Sequence, residues 1–167
     1  FNFGIAEQDM VGASAGLALA GKIPFVTTYA AFASMRATEQ VRTDVAYNEL
    51  SVRICPSHGG FGIAAGGATH HALEDIAIMR TIANMTVVIP ADGAQAAAAT
   101  RAIAFVDGPV YMRLSRPKEP TVYTVAKPFV IGKADVVRPG KDLALIAYGG
   151  RGGYSLKAAD LLAADGI

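Results

Sequence analysis

Four short apolar runs, rich in β-branched and aromatic residues, alternate with stretches of helical length, and this alternation constrains the fold more than any other feature. The runs are Ile23 to Tyr29, Leu50 to Cys55, Thr86 to Ile89 and Val110 to Leu114. A small-residue helix is expected from about Gln8 to Ala20, stopped by Gly21, a residue suited to a helix C-terminus. Ala31 to about Asn48 reads as a second helix, and Leu73, Ile76, Ala77, Met79 and Arg80 open a third that ends near Asn84. Asp92 is placed to cap an alanine-rich helix running to about Val106. Strands separated by helices of this length predict an α/β fold, a parallel sheet with helices on both faces. In such sheets ligands gather beyond the carboxyl ends of the strands. Tyr29, His58 and Arg116 each follow a strand closely and so are expected on one rim.

The pattern changes after Arg116. Residues 117–140 carry four prolines and no sustained period, which reads as a linker with one short strand at Phe129 to Gly132. Asp142 to Tyr148 is expected to form a strand and Ser155 to Ala164 a helix, the start of a second α/β domain over 141–167. The first domain is then 1–116. The absence of an initiator methionine, and a stop at Ala164-Asp-Gly-Ile167, suggest a truncated piece of a longer polypeptide whose first strand and helix are missing.

Bulk properties narrow the functional classes. Of the 167 residues 52% are hydrophobic and only 17% charged, below the ~25% of an ordinary soluble domain, so some surface is expected to lie hidden against a partner. The net charge of +1, with no run of basic residues, argues against nucleic acid and membrane surfaces as partners. The apolar run Met10 to Gly21 falls short of the ~20 residues of a membrane span. A lone cysteine, Cys55, permits no internal disulfide and suits a reducing, cytoplasmic compartment.

Several residues carry chemistry. Glu7 stands where a glycine-bearing loop enters the first helix, and taken alone it reads as an ordinary first-turn acid that favours the helix dipole. Tyr29 and Phe32, three apart at a strand-to-helix junction, suit the face or edge of a flat ring, though aromatics more often simply fill a core. His58 and His70 flank a glycine-rich loop; their spacing fits no zinc pattern, and no metal ligand set is expected. Gly60-Phe-Gly-Ile-Ala-Ala65 formally fits a dinucleotide motif, but no acidic residue ends a following strand at the required distance. Arg116 in Leu-Ser-Arg-Pro is suited to phosphate by its forked donors, and Arg113 just before it is expected on the same side if the strand persists.

In sequence order, Gly4-Ile-Ala-Glu-Gln8, Ile23 to Phe32, Ser57-His-Gly-Gly60, Gly67-Ala-Thr-His-His-Ala-Leu-Glu-Asp75, Pro90-Ala-Asp92 and Leu114-Ser-Arg116 resemble the transketolase family, in its pyrimidine-binding domain. The likeness is nearest to the C-terminal half of a split transketolase and covers most of the chain to about Pro117. It implies the thiamine diphosphate pyrimidine-binding fold and transfer of a two-carbon ketol unit between sugar phosphates. It also implies that Glu7 bonds the cofactor's ring nitrogen as a catalytic acid, that Tyr29 and Phe32 hold the ring, and that His70 sits over the reacting centre. His58 and Arg116 would touch the sugar phosphate. Where many relatives have a third aromatic, Met35 stands here and would pack against the ring.

Two departures qualify the resemblance. The loop acids usual after His58 are replaced by Ala65 and Gly66, which puts an ordinary ketose phosphate in question. The Gly-Asp-Gly and downstream asparagine that hold Mg²⁺ and the diphosphate in the family are absent, so that site is expected on an N-terminal partner subunit, in a homodimer or heterotetramer. The rival readings are a pyruvate dehydrogenase E1 β-like or deoxyxylulose phosphate synthase-like subunit, and a non-catalytic assembly subunit.

Overall fold

The computed structural model describes residues 1–125 and 127–167; Ala126, within the expected linker, lies outside them. Helix α1 spans Glu7–Leu19, and its buried face carries Glu7, Val11, Ser14 and Ala15. The sheet strands are β1 (Phe25–Val26), β2 (Arg53–Ile54), β3 (Thr86–Val88) and β4 (Val110–Met112), with α2 (Thr38–Gln40), α3 (Asp75–Thr81) and α4 (Gly93–Ile103) in the connections. The order across the sheet is β1-β2-β4-β3. Every pairing is parallel, with Phe25 opposite Arg53, and with Arg53 and Thr86 both opposite Val110. The expected parallel α/β architecture is therefore what the chain adopts, in strands shorter than the apolar runs suggested.

Val11, Val41, Val45, Val52, Ile54, Met79 and Tyr111 form the larger core, between α1, the segment after β1, and the sheet. Val88, Ala99, Ile103, Val110 and Met112 form a second core beneath α4. Parallel strands buried on both faces need such continuous apolar runs, which is why β4 is buried throughout. At the end of the sheet opposite the strand carboxyl ends, the guanidinium of Arg53, almost fully enclosed, donates to the carbonyls of Gly108 at 2.5 Å and Val106.

The expected continuous helix from Ala31 to Asn48 is corrected. α2 is a single short turn flanked by two π-helical segments, Phe32–Arg36 and Val41–Ala46. Their wide turns close through Ala37 N–H to the Phe32 carbonyl at 3.2 Å and Tyr47 N–H to the Arg42 carbonyl at 2.9 Å. One added residue per turn is the signature of a π-bulge, a feature that gathers at functional sites.

The C-terminal part differs more. α5 runs from Arg151 to Ala164, one turn longer at its start than the helix expected from Ser155, but residues 142–148 form no ladder. The predicted strand fails for a physical reason: a strand exists only by pairing, and no neighbour is available to it among the described residues. Leu143 and Leu145 are about half exposed and Ile146 almost wholly so. The short strand expected at Phe129 to Gly132 is likewise absent. The linker is nevertheless pinned. Asp92 caps α4 by accepting from Gln95 N–H at 2.8 Å, and its other oxygen accepts from Val122 and Tyr123 N–H, both at 2.8 Å.

Candidate functional site

The strand carboxyl ends converge as the pattern requires. Tyr29 follows β1 and pairs as an isolated parallel bridge with Ser57, which follows β2. That bridge brings the aromatic and histidine segments together. The Tyr29 ring lies 4.3 Å from the His58 ring, 6.0 Å from that of Phe32 and 6.0 Å from that of His70. Phe32 and His70 meet edge to face at 5.2 Å. Tyr29 and Phe32 are near-parallel, 21° apart, and Tyr29 keeps 37% of its surface exposed. A ring pair that only filled a core would be covered.

Both histidines are oriented by the hydroxyl of the residue before them. Ser57 Oγ lies 2.6 Å from His58 Nδ1, and Thr69 Oγ1 lies 2.8 Å from His70 Nδ1. Nε2 of each ring is then the nitrogen left for a ligand. Burial, and secondarily the Arg116 charge, hold His58 below the usual imidazole range, so it is neutral at pH 7. Arg116 is exposed, with its backbone nitrogen close to Gly62 of the glycine loop that follows His58. His58 has φ +64°, a left-handed backbone rare for a residue with a side chain.

Glu7 opens α1, where free amides and the helix dipole favour a carboxylate. Its Oε1 accepts from Thr28 Oγ1 at 3.0 Å and its Oε2 meets Arg36 Nη1 at 2.7 Å. Burial pushes the carboxyl up, but hydrogen bonds from Arg36, the backbone and Thr28, together with the Arg36 charge, outweigh it and hold it below the usual range. A first-turn acid was one expectation and a catalytic acid bonded to a cofactor ring nitrogen the other. The structure places Glu7 at the helix start, buried, yet ionised. Arg36 also covers the Phe32 ring, 4.3 Å from its centroid.

Glu7, Tyr29, Phe32, His58 and His70 are thus brought to one rim, with Arg116 at its edge. Met35, like Tyr29, is partly exposed. One assignment shifts. Arg113 does not share the side of Arg116: the ladder ends at Met112, and Arg113 turns inward to Asp75. The residues to which sequence reasoning gave no role are Thr28, Arg36 and Asp75. Only Arg36 left a trace, as a cation four residues after Phe32. Among the described residues, no three His, Cys, Asp or Glu side chains gather in a way that could hold a metal. The residues do fit a flat heteroaromatic ring, with a carboxylate for a ring nitrogen and the exposed Tyr29, backed by Phe32, for its face.

The comparisons agree with this geometry. The family model described as transketolase, pyrimidine binding domain, matches residues 1–121. The 6-deoxy-6-sulfo-D-fructose transketolase subunit of Clostridium sp. (strain MSTE9) is 43% identical, over 98% of this chain and 51% of its own length. An apulose-4-phosphate transketolase subunit of Phocaeicola vulgatus is 42% identical, over 98% of this chain and 53% of its own. A solved split-gene transketolase, an inactive beta4 tetramer, superposes with a TM-score of 0.92 at 44% identity, covering all of this chain and 54% of that one. The chain therefore spans about half the length of the relatives it matches.

Proposed function

Because this chain belongs to the transketolase family, through its pyrimidine-binding domain, we propose that it is the pyrimidine-binding half of a split transketolase. It moves a two-carbon ketol unit between sugar phosphates, in the cytoplasm. The observation that carries this reading is the meeting of Glu7 with the near-parallel Tyr29–Phe32 pair and two hydroxyl-oriented histidines on one rim. Residues 1–116 form the pyrimidine-binding domain, 117–140 a linker, and 141–167 the start of the next domain.

Thiamine diphosphate, when bound, supplies a carbon centre that takes up and releases the ketol unit. The chain's own residues do the rest. Glu7 holds or shares a proton at the ring nitrogen. Each of its oxygens accepts one hydrogen bond here, from Thr28 and Arg36, and a carboxylate oxygen can accept two, so Glu7 would meet the ring with both partners kept. Tyr29 and Phe32 fix the plane of the ring. His70 moves a proton at the reacting centre through Nε2. Neutral His58 hydrogen-bonds substrate oxygens, while Arg116 holds the phosphate. The diphosphate and its Mg²⁺ are bound by an N-terminal subunit in a larger assembly, which exposed Ile5, Leu19 and Tyr47 suit as contact surface.

The loop replacement points to an unusual donor. A side chain on Gly66 would meet Ile63 at 2.8 Å and lie 3.2 Å from His70 Cβ, so the apolar Ile63 fills the space beside His70 where relatives place an acid. The names of the two relatives, a sulfo-sugar and a branched-sugar transketolase subunit, fit a family in which this specificity varies. The same replacement supports the second reading, a non-catalytic subunit. Reconstitution with the partner subunit decides between them. Ketol transfer by the pair, and by neither chain alone, is expected; an assembly that binds thiamine diphosphate but transfers from no donor makes this an assembly subunit.

A further inference from the structure

Arg113 is buried below the glycine loop, next to a carboxylate that is fully enclosed. Its Nε lies 2.9 Å from Asp75 Oδ2, and Asp75 has no exposed side-chain surface. Tyr111 donates its hydroxyl to the same oxygen at 2.9 Å, and Arg113 Nη2 donates to the Ala72 carbonyl at 2.9 Å. That carbonyl also receives Gly60 N–H at 2.8 Å, while Gly59 N–H reaches the Leu114 carbonyl at 3.1 Å. The two ends of the loop from His58 to Ala72 are therefore closed onto one guanidinium. Any side chain on Gly59 would run into Arg113 Nε, Cγ and Cδ.

We propose that Arg113 is a positioning residue for substrate: it fixes both ends of the loop and so sets His58 and His70 against Tyr29. This rests on the functional reading above, since it assigns the two histidines to the substrate.

Stability alone does not account for the arrangement. A buried ion pair is often no more stable than apolar residues of the same volume, because two charges lose their water. Here the loss is larger, for Asp75 Oδ1 has no hydrogen-bond partner and Arg113 Nε, though 2.9 Å from Asp75 Oδ2, is not aligned to make one. What the pair supplies is direction. Arg113 sets its charge against Asp75 on α3 and donates to Ala72 at the end of the loop, and its stem lies under Gly59 at the beginning. An apolar side chain would fill the space without setting the distance between the loop ends. His58, one residue before Gly59, sits in left-handed backbone that only a fixed anchor maintains.

The test uses the full-length chain assembled with its partner subunit, as wild type, Arg113→Met and Gly59→Ala. The first variant leaves Asp75 as an unpaired buried charge and risks unfolding. The second keeps the charges and pushes the guanidinium aside. Each is measured by hydrogen–deuterium exchange of residues 58–72, by thiamine diphosphate affinity, and by kcat and KM for a ketose donor. Faster exchange in the loop, unchanged cofactor affinity and a kcat/KM lower by ~10²-fold are expected, the scale of a small misplacement of reacting groups. A merely structural residue would lower the melting temperature and leave the kinetics of the folded fraction intact. Loop exchange unchanged in a folded variant overturns the proposal, and so does a loosened loop with untouched donor kinetics. If the wild-type assembly binds no thiamine diphosphate, the functional reading fails, while loop exchange still decides what Arg113 does.

Discussion

Arg36 Nη1 sits 2.7 Å from Glu7 Oε2, so the carboxylate proposed for catalysis is already neutralised by a cation from its own chain. Arg36 reaches it from a π-helical turn that also sets the guanidinium over Phe32. The acid, the aromatic and the cation thus form one unit.

Replacing Glu7 tests the acid directly. Glu7→Gln keeps the shape and the Thr28 hydrogen bond but cannot hold a proton for the ring nitrogen. In the assembled enzyme, exchange of the thiazolium C2 proton is expected to slow by ~10²–10⁴, the usual contribution of a general acid or base. Wild-type exchange in the folded variant would reduce Glu7 to a helix-capping acid.

Arg36→Leu should raise the Glu7 pKa. Burial already pushes this carboxyl up, and the Arg36 hydrogen bond and charge are among the influences that bring it below its ordinary value. Because the folded value is the lower one, Glu7 contributes stability above the ordinary carboxylate range. That contribution is lost as pH falls through the folded value. In the variant the loss begins at higher pH. Carbon-13 NMR of the labelled carboxyl measures this, and an unmoved titration means that the pair does not persist in solution.

Asp92 offers a second acid-sensitive point. Burial raises its carboxyl, but backbone hydrogen bonds from Tyr123, Gln95, Val122 and Ala94 outweigh that and hold it low. Its contribution is therefore complete above the ordinary carboxylate range and is lost as pH falls through the lowered value. Asp92→Ala removes a helix cap of ~1 kcal/mol and hydrogen bonds to a charge of ~1.5–3 kcal/mol, so a loss of about 2–4 kcal/mol is expected. Limited proteolysis should then cut residues 117–125 faster than in wild type. Equal cleavage rates mean that the linker is held elsewhere.

The isolated chain should not bind thiamine diphosphate measurably. Only the pyrimidine side of a site is proposed here, and a half-site gives up much of the interaction surface on which affinity depends. Calorimetry is the check: micromolar binding without a partner subunit would end the shared-site proposal.

Gly66→Asp should move donor preference toward ordinary ketose phosphates. The new side chain must displace Ile63, which is flexible, and it arrives beside His70. A hydrogen bond to a charged group contributes ~1.5–3 kcal/mol, or roughly ten- to a hundredfold in relative kcat/KM. Identical donor profiles for the two proteins would show that this part of the loop does not face the substrate.

The sheet and its rim were legible in the sequence because parallel strands demand unbroken apolar runs and helices between them. Asp92 announced itself as a cap, and Tyr29, Phe32, His58 and His70 by family motif. The π turns were not legible, since apolar spacing in Phe32 to Val45 fits an α-helix nearly as well and one added residue per turn leaves little mark. Arg113 was misread because it stands three positions before Arg116, an odd spacing that puts strand side chains on opposite faces, and because its partner Asp75 lies 38 positions away in sequence. Residues 142–148 show the converse: strand propensity was present, but pairing is a property of neighbours.

Arg53 stands at the far end of the sheet from the rim, gripping the turn before β4 through the Val106 and Gly108 carbonyls. Its location separates two kinds of sequence change. Substitutions around the rim leave the opposite turn, and with it the register of the strands, untouched. A library that randomises residues 61–68 and leaves Arg53, Val106 and Gly108 alone should return folded proteins, so the two ends of this sheet can be varied independently.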